Sequence, residues 1–149
     1  MTNIRHILVP TDFGAPSAAA LELATDLAQK LEAQLTLLHV WQIPDYPYLE
    51  LMVNSPEIAR VENAAVTGLA EGLRQAQVRL PTAKSVLRSG VPWQGIIAAA
   101  EELKCDLIVM GTHGLRGLSH AILGSVTERI VRLSPVPVLT VHAPIERAT

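Results

Sequence analysis

The stretch "VMGTHGLRGLSHAILGSV", from Val109 to Val126, carries Gly111, Gly114, Gly117 and Gly124, with Ser125 next to the last of them and Thr127 just beyond. Glycine costs backbone entropy on folding, so four of them this close need a reason. One reason is plain connection: glycine after a strand and serine at a helix N-cap are ordinary. The other is an anion site. Glycine lets backbone come close to a ligand, and the first amides of a helix lack intrahelical partners while its dipole favours negative charge. Ser125 and Thr127 would add hydroxyl donors. On these residues alone both reasons stand. Two other phosphate motifs are absent: there is no G-x-x-x-x-G-K-[ST] and no G-x-G-x-x-G after the first apolar run. Lys30, Lys84 and Lys104 all lie outside the stretch, which leaves Arg116 as the nearest cation.

Elements on either side must position such a site. "IRHILVP" (Ile4–Pro10) is short and rich in β-branched residues, which predicts a strand. Ala18, Leu21, Ala24, Ala28 and Leu31 recur at helical spacing, and Pro16 suits a first turn. "QLTLLHVW" (Gln34–Trp41) predicts the second strand, and Gln42–Pro56, with three prolines and both tyrosines, a long surface loop. A helical pattern runs from Glu57 to about Gln77. "AKSVLRSG" (Ala83–Gly90) is a third strand, "VPWQGIIAAAEEL" a helix and "DLIVMG" (Asp106–Gly111) a fourth strand. "SVTERIVRL" is a helix with Val126, Ile130 and Leu133 together, and "VPVLTVH" (Val136–His142) is the fifth strand.

Alternating strands and helices predict βαβ units and a parallel sheet. Nearly continuous apolar strands fit a sheet covered on both faces. The expected fold is therefore α/β, a single-domain, doubly wound, five-stranded parallel sheet over residues 1–149, with helices on both faces. Right-handed crossovers favour the order 3-2-1-4-5. That order puts strands one and four side by side, where the winding reverses, and ligands bind outside the carboxyl ends of strands at such a point. Pro10, Thr11 and Asp12 follow strand one, and Met110 to Gly114 close strand four. Fold logic alone thus sets Asp12 beside the first glycines, where it could equally serve as the N-cap of the first helix.

Composition narrows the function classes. The 149 residues are 49% apolar but only 3% aromatic, so the core is aliphatic. Net charge is −2 with no like-charge run, which speaks against nucleic acid. No apolar run reaches membrane-spanning length. The opening "MTNIRHILVPTDF" enters a strand without a signal-peptide pattern, and Cys105 is a lone cysteine, so a cytoplasmic protein is expected. His113 and His120 lack a carboxylate or cysteine to complete a metal set, so no metal ligands are assigned; His113 is placed near the bound ligand instead. His39 reads as a satisfied strand histidine, Cys105 as a small buried residue, and Trp41 and Trp93 as packing under loops.

Gly111-x2-Gly114-x9-Gly124-Ser125 resembles the nucleotide-binding signature of the universal stress protein family (UspA-like), in its ATP-binding branch. The resemblance covers nearly the whole chain, through "ILVPTDFGAPSAAALELA", "LLHV", "DLIVMGTHG" and "LGSVTERIVRLSPVPVLTV". It implies a Rossmann-like, adenine nucleotide alpha hydrolase-like fold and ATP as ligand. Carried over by position, Asp12 with Pro10 and Thr11 would contact the adenosine, and Val40 and Met110 would meet the adenine. Gly111 and Gly114 would line the ribose and phosphates. Gly124, Ser125, Val126 and Thr127 would hold the phosphates through amides and hydroxyls. Gly117 falls outside the signature and is left a turn.

The resulting expectation is a nucleotide-dependent sensor or regulator in stress adaptation. One alternative is a slow ATPase using Mg²⁺ or Mn²⁺ on the phosphates, although no base and cation constellation is visible and no catalytic residue is assigned. Another is an interaction module in which nucleotide is incidental. Strand five, Val136–His142, would be an uncharged sheet edge, and pairing it with a second copy about a two-fold axis would remove that edge. Homodimers of this kind are also what the family resemblance implies.

Overall fold

Strands and helices alternate along the chain in the computed structural model, which describes residues 3–42, 55–113 and 123–143. The elements are β1 (His6–Pro10), α1 (Ala15–Leu31), β2 (Gln34–Trp41), α2 (Pro56–Arg79), β3 (Lys84–Ser89), α3 (Pro92–Glu102), β4 (Leu107–Gly111), α4 (Ser125–Leu133) and β5 (Val138–Val141). All strand pairs are parallel, and the sheet order is β3-β2-β1-β4-β5. The expected order and the α/β doubly wound class are what the structure has. No helix among the described residues is long and apolar enough to cross a membrane.

Period-two alternation in the strands sends side chains into two separate cores. Ile7, Val9, Leu35, Leu37, Leu107 and Val109 face α1 and α2, where Ala20, Ala24, Ala28, Leu69 and Ala76 complete the packing. Leu8, Leu38, Val40, Ile108 and Met110 face the other way, against Ile96, Ala99 and Ala100 of α3 and Ile130 of α4. Alanine at the helix–sheet contacts lets the backbones approach closely, which is how an aromatic-poor chain fills its core. Trp93, on the first turn of α3, packs against the second core rather than under a loop, with the Arg129 guanidinium 5.2 Å from its ring centroid.

At the amino ends of the strands, polar groups close on one another. The Asp106 carboxylate accepts from the amides of Arg5 and His6 at 2.8 and 3.0 Å. His6 donates from Nδ1 to the Leu103 carbonyl and accepts at Nε2 from the Thr36 hydroxyl, 2.8 Å away. Cys105 is buried as expected. Burial, with the neighbouring Asp106 carboxylate, pushes its thiol up to about 11, so it stays a protonated thiol.

The fifth strand is shorter than its apolar run. It spans Val138–Val141, not Val136–His142. Val136 is drawn into a local turn in which the Ser134 hydroxyl donates to its carbonyl at 2.7 Å and accepts from its amide at 3.1 Å. Pro137 brings no amide to a ladder, although its carbonyl accepts from Ile108 at 3.0 Å.

Candidate functional site

Where β1 and β4 part, a cavity of about 440 Å³ opens outside their carboxyl ends. Small-molecule sites run from roughly 300 to 1,000 Å³. Its described lining is Pro10, Thr11, Asp12 and Ser17 from one connection, Leu38, His39 and Val40 from β2, and Ile96 from α3. Met110, Gly111 and His113 come from the end of β4, and Gly124, Ser125, Val126 and Thr127 from the start of α4. Of the residues singled out in the sequence, Pro10, Thr11, Asp12, Val40, Met110, Gly111, His113, Gly124, Ser125, Val126 and Thr127 are brought together here. Gly114 lies outside the described residues, as do Arg116, Gly117 and His120.

The β1–α1 connection is fixed by its own polar groups. Thr11 donates its amide to the Leu38 carbonyl at 2.8 Å, and its own carbonyl accepts from His39 Nδ1 at 2.7 Å. A carbonyl only accepts, so the His39 proton sits on Nδ1. Asp12 Oδ1 accepts from the Gly14 amide at 3.0 Å and the Ser17 hydroxyl at 2.8 Å, and the Asp12 amide is 3.3 Å from Ser17 Oγ. Asp12 is therefore not the N-cap of α1. Gly14 holds that position, and the carboxylate organises the turn leading into it. The charge also sits at the positive end of the α1 dipole.

The glycines prove to have separate reasons. A Cβ on Gly111 would lie 2.6 Å from Pro16 Cβ and 2.9 Å from the Ser17 amide nitrogen. Close packing of β4 on α1 thus demands glycine there, a reason distinct from the expected approach to a ligand. A Cβ on Gly124 would meet His113 Cα at 3.1 Å. Gly124 is the N-cap of α4, and its amide donates to the Thr112 carbonyl at 2.8 Å. Its N–H is therefore not offered to the cavity, contrary to the expectation. The amides of Ser125, Val126 and Thr127 form the first turn, which has no carbonyl one turn earlier to bond. The buried Thr127 hydroxyl donates to the Gly111 carbonyl at 2.8 Å, so its hydrogen ties α4 to β4 instead of facing a ligand. Only the exposed Ser125 keeps the hydroxyl role expected of both.

His113 flanks this wall. The buried Thr112 hydroxyl lies 3.1 Å from His113 Nδ1 and 3.2 Å from His142 Nδ1. The hydroxyl has one hydrogen to give, so at least one of the two imidazoles presents Nδ1–H to it. Leu38, Val40, Ile96 and Met110 make the interior of the cavity an apolar slot. Sequence reasoning passed over Ser17, Leu38, His39 and Ile96 as site residues. Leu38 had a usable signal, since alternation along β2 puts it on the face that carries Val40.

An apolar slot beside strand ends, with one carboxylate on one side and open helix amides on the other, defines a doubly wound α/β protein with a ligand cleft at its switch point. The profile of the universal stress protein family matches residues 3–142. A universal stress protein of Thermus aquaticus is 33% identical over 146 residues, covering 93% of this chain and 98% of its own. Among solved structures, the universal stress protein UspA from Lactobacillus plantarum superposes with a TM-score of 0.82 at 26% identity, over 95% of this chain and 99% of its own. A universal stress protein solved in complex with cAMP gives a TM-score of 0.69 at 25% identity, over 95% of this chain and 99% of its own. The chain belongs to the universal stress protein family.

Proposed function

We propose that this protein binds ATP in the β1–β4 cleft and acts as a nucleotide-dependent regulator in stress adaptation, in the cytoplasm. The observation that carries the reading is the meeting, in one cavity, of the apolar slot, the Asp12 connection and the first turn of α4. Val40 and Met110 would hold the adenine. Asp12, with Pro10 and Thr11, would hold the adenosine sugar side, and Gly111 and Gly114 would run along the ribose and phosphates. The amides of Ser125, Val126 and Thr127, with the Ser125 hydroxyl, would receive the phosphates. The adenine nucleotide cAMP in a structural relative supports the same ligand class.

Binding is favoured over hydrolysis because the described lining has no lysine or arginine to stabilise a transferring phosphoryl group. Any Mg²⁺ or Mn²⁺ would arrive on the phosphates, because the described residues hold no group of three or more His, Cys, Asp or Glu side chains that could bind one. We also propose a single domain that forms homodimers through β5, which among the described strands is bonded only to β4 and leaves Leu139 exposed.

ATP at about a hundred times its Kd should stabilise the protein by about 2.7 kcal/mol, read as a rise in Tm. Mass spectrometry of the small molecule that co-purifies should return an adenine nucleotide. No thermal shift with ATP, ADP, AMP or cAMP overturns the proposal.

A further inference from the structure

Phe13 stands in the left-handed backbone region, with φ +69°. A bulky aromatic residue there is an outlier that surrounding structure must enforce. Two neighbours do so. The His39 ring lies 4.3 Å away between centroids, tilted by 40°. On another side Gly68 of α2 leaves the space for the ring, since a Cβ at Gly68 would stand 2.9 Å from Phe13 Cε1 and Cζ. The Phe13 amide donates to Thr11 Oγ1 at 3.0 Å, so the ring and the backbone on either side of Asp12 are held together.

We propose that Phe13 is a positioning residue for Asp12, and that through its ring α2 sets how well the cleft holds its nucleotide. Phe13 and Gly68 do not line the cavity. Their effect passes through the Thr11–Asp12–Phe13 connection, which His39 and Ser17 hold from β2 and α1. An aromatic ring carried at so costly a φ is explained if its seat between His39 and Gly68 fixes the turn ahead of α1. A displacement of α2 at Gly68 then moves the Asp12 side of the cleft. This inference rests on the ATP-binding reading.

The test is a cycle of Phe13→Gly, Gly68→Ala and the double variant, each measured for ATP affinity by calorimetry and for Tm without nucleotide. Phe13→Gly adopts the same φ without strain but loses the ring, and should weaken ATP by about tenfold, or about 1.4 kcal/mol. Gly68→Ala improves helix propensity in α2, so a merely structural role predicts an unchanged or higher Tm and unchanged affinity. The proposal predicts that unchanged or higher Tm together with about fivefold weaker ATP binding, because the new methyl displaces the ring. In the Phe13→Gly background, Gly68→Ala should have no further effect on affinity, since the ring it displaces is gone. Wild-type affinity in both single variants, or equal effects of Gly68→Ala in both backgrounds, overturns the proposal. If the wild-type protein binds no adenine nucleotide, the functional reading falls and this inference with it; if wild type binds and the variants bind equally, only the Phe13 relay falls.

Discussion

The two ends of β4 finish in opposite ways. At the amino end, Asp106 accepts from Arg5 and His6, His6 is bonded at both ring nitrogens, and Cys105 is buried beside them. At the carboxyl end the chain reaches a cavity and a helix start with open amides. The same strand thus runs from a closed polar cluster to an open cleft. In a doubly wound sheet the helices leave room only at the carboxyl ends, where successive crossovers diverge. One end therefore carries stability and the other is left for a ligand.

The sharpest way to break that contrast is Gly124→Val. Its side chain would push on the His113 backbone and disturb the α4 start while leaving the amino end alone. The expected outcome is an ATP affinity lowered by about a hundredfold, roughly 2.7 kcal/mol, with adenosine binding changed by less than threefold, or about 0.6 kcal/mol. Loss of both ligands together would show that α4 does not handle phosphates separately, and calorimetry with the two ligands decides.

Asp106→Ala tests the opposite end. It removes the acceptor shared by two backbone amides, and hydrogen bonds to a charged group contribute about 1.5–3 kcal/mol. We expect denaturant unfolding to show a loss of about 2 kcal/mol, with ATP affinity unchanged at concentrations where the protein is folded. Asp12→Asn should do the reverse. Asparagine keeps an oxygen for Gly14 and Ser17 but removes the charge at the start of α1, so stability should fall by no more than about 1 kcal/mol while ATP and adenosine both weaken by about tenfold, or about 1.4 kcal/mol. Equal factors for the two ligands would assign Asp12 to the nucleoside.

Much of this contrast is legible in the sequence, because it follows from topology. Five apolar strands separated by helices leave few orders for right-handed crossovers, and the order fixes which loops meet. Asp12 and the start of α4 could be set at one site before any distance was known. The roles of individual atoms were not legible. Gly111 is glycine because Pro16 and Ser17 of α1 press on it, and those residues lie far away in sequence. The Gly124 amide goes to Thr112, and the Thr127 hydroxyl to Gly111, for the same reason: backbone carbonyls carry no sequence signal. The Val136 turn depends on the Ser134 hydroxyl and shortens β5 against its apolar pattern. Phe13 gives no sign in the sequence that its φ is positive.

The smallest effect should come from Cys105, and it bears on how closed the amino end is. Its thiol is raised to about 11, first by burial and then by Asp106. A thiol whose folded pKa lies above its unfolded value of about 8.5 favours the folded state while protonated. That contribution is fully present below about pH 8.5 and is lost as pH climbs towards 11. Wild-type protein should therefore lose more stability over that window than Cys105→Ala does. Below it, iodoacetamide should modify folded protein far more slowly than urea-unfolded protein. Asp106→Asn should bring the modification onset to lower pH, since it removes the second cause and leaves burial. An onset at the ordinary thiol range in folded wild-type protein would mean that this end of β4 is open to water, and the contrast between the two ends would be lost.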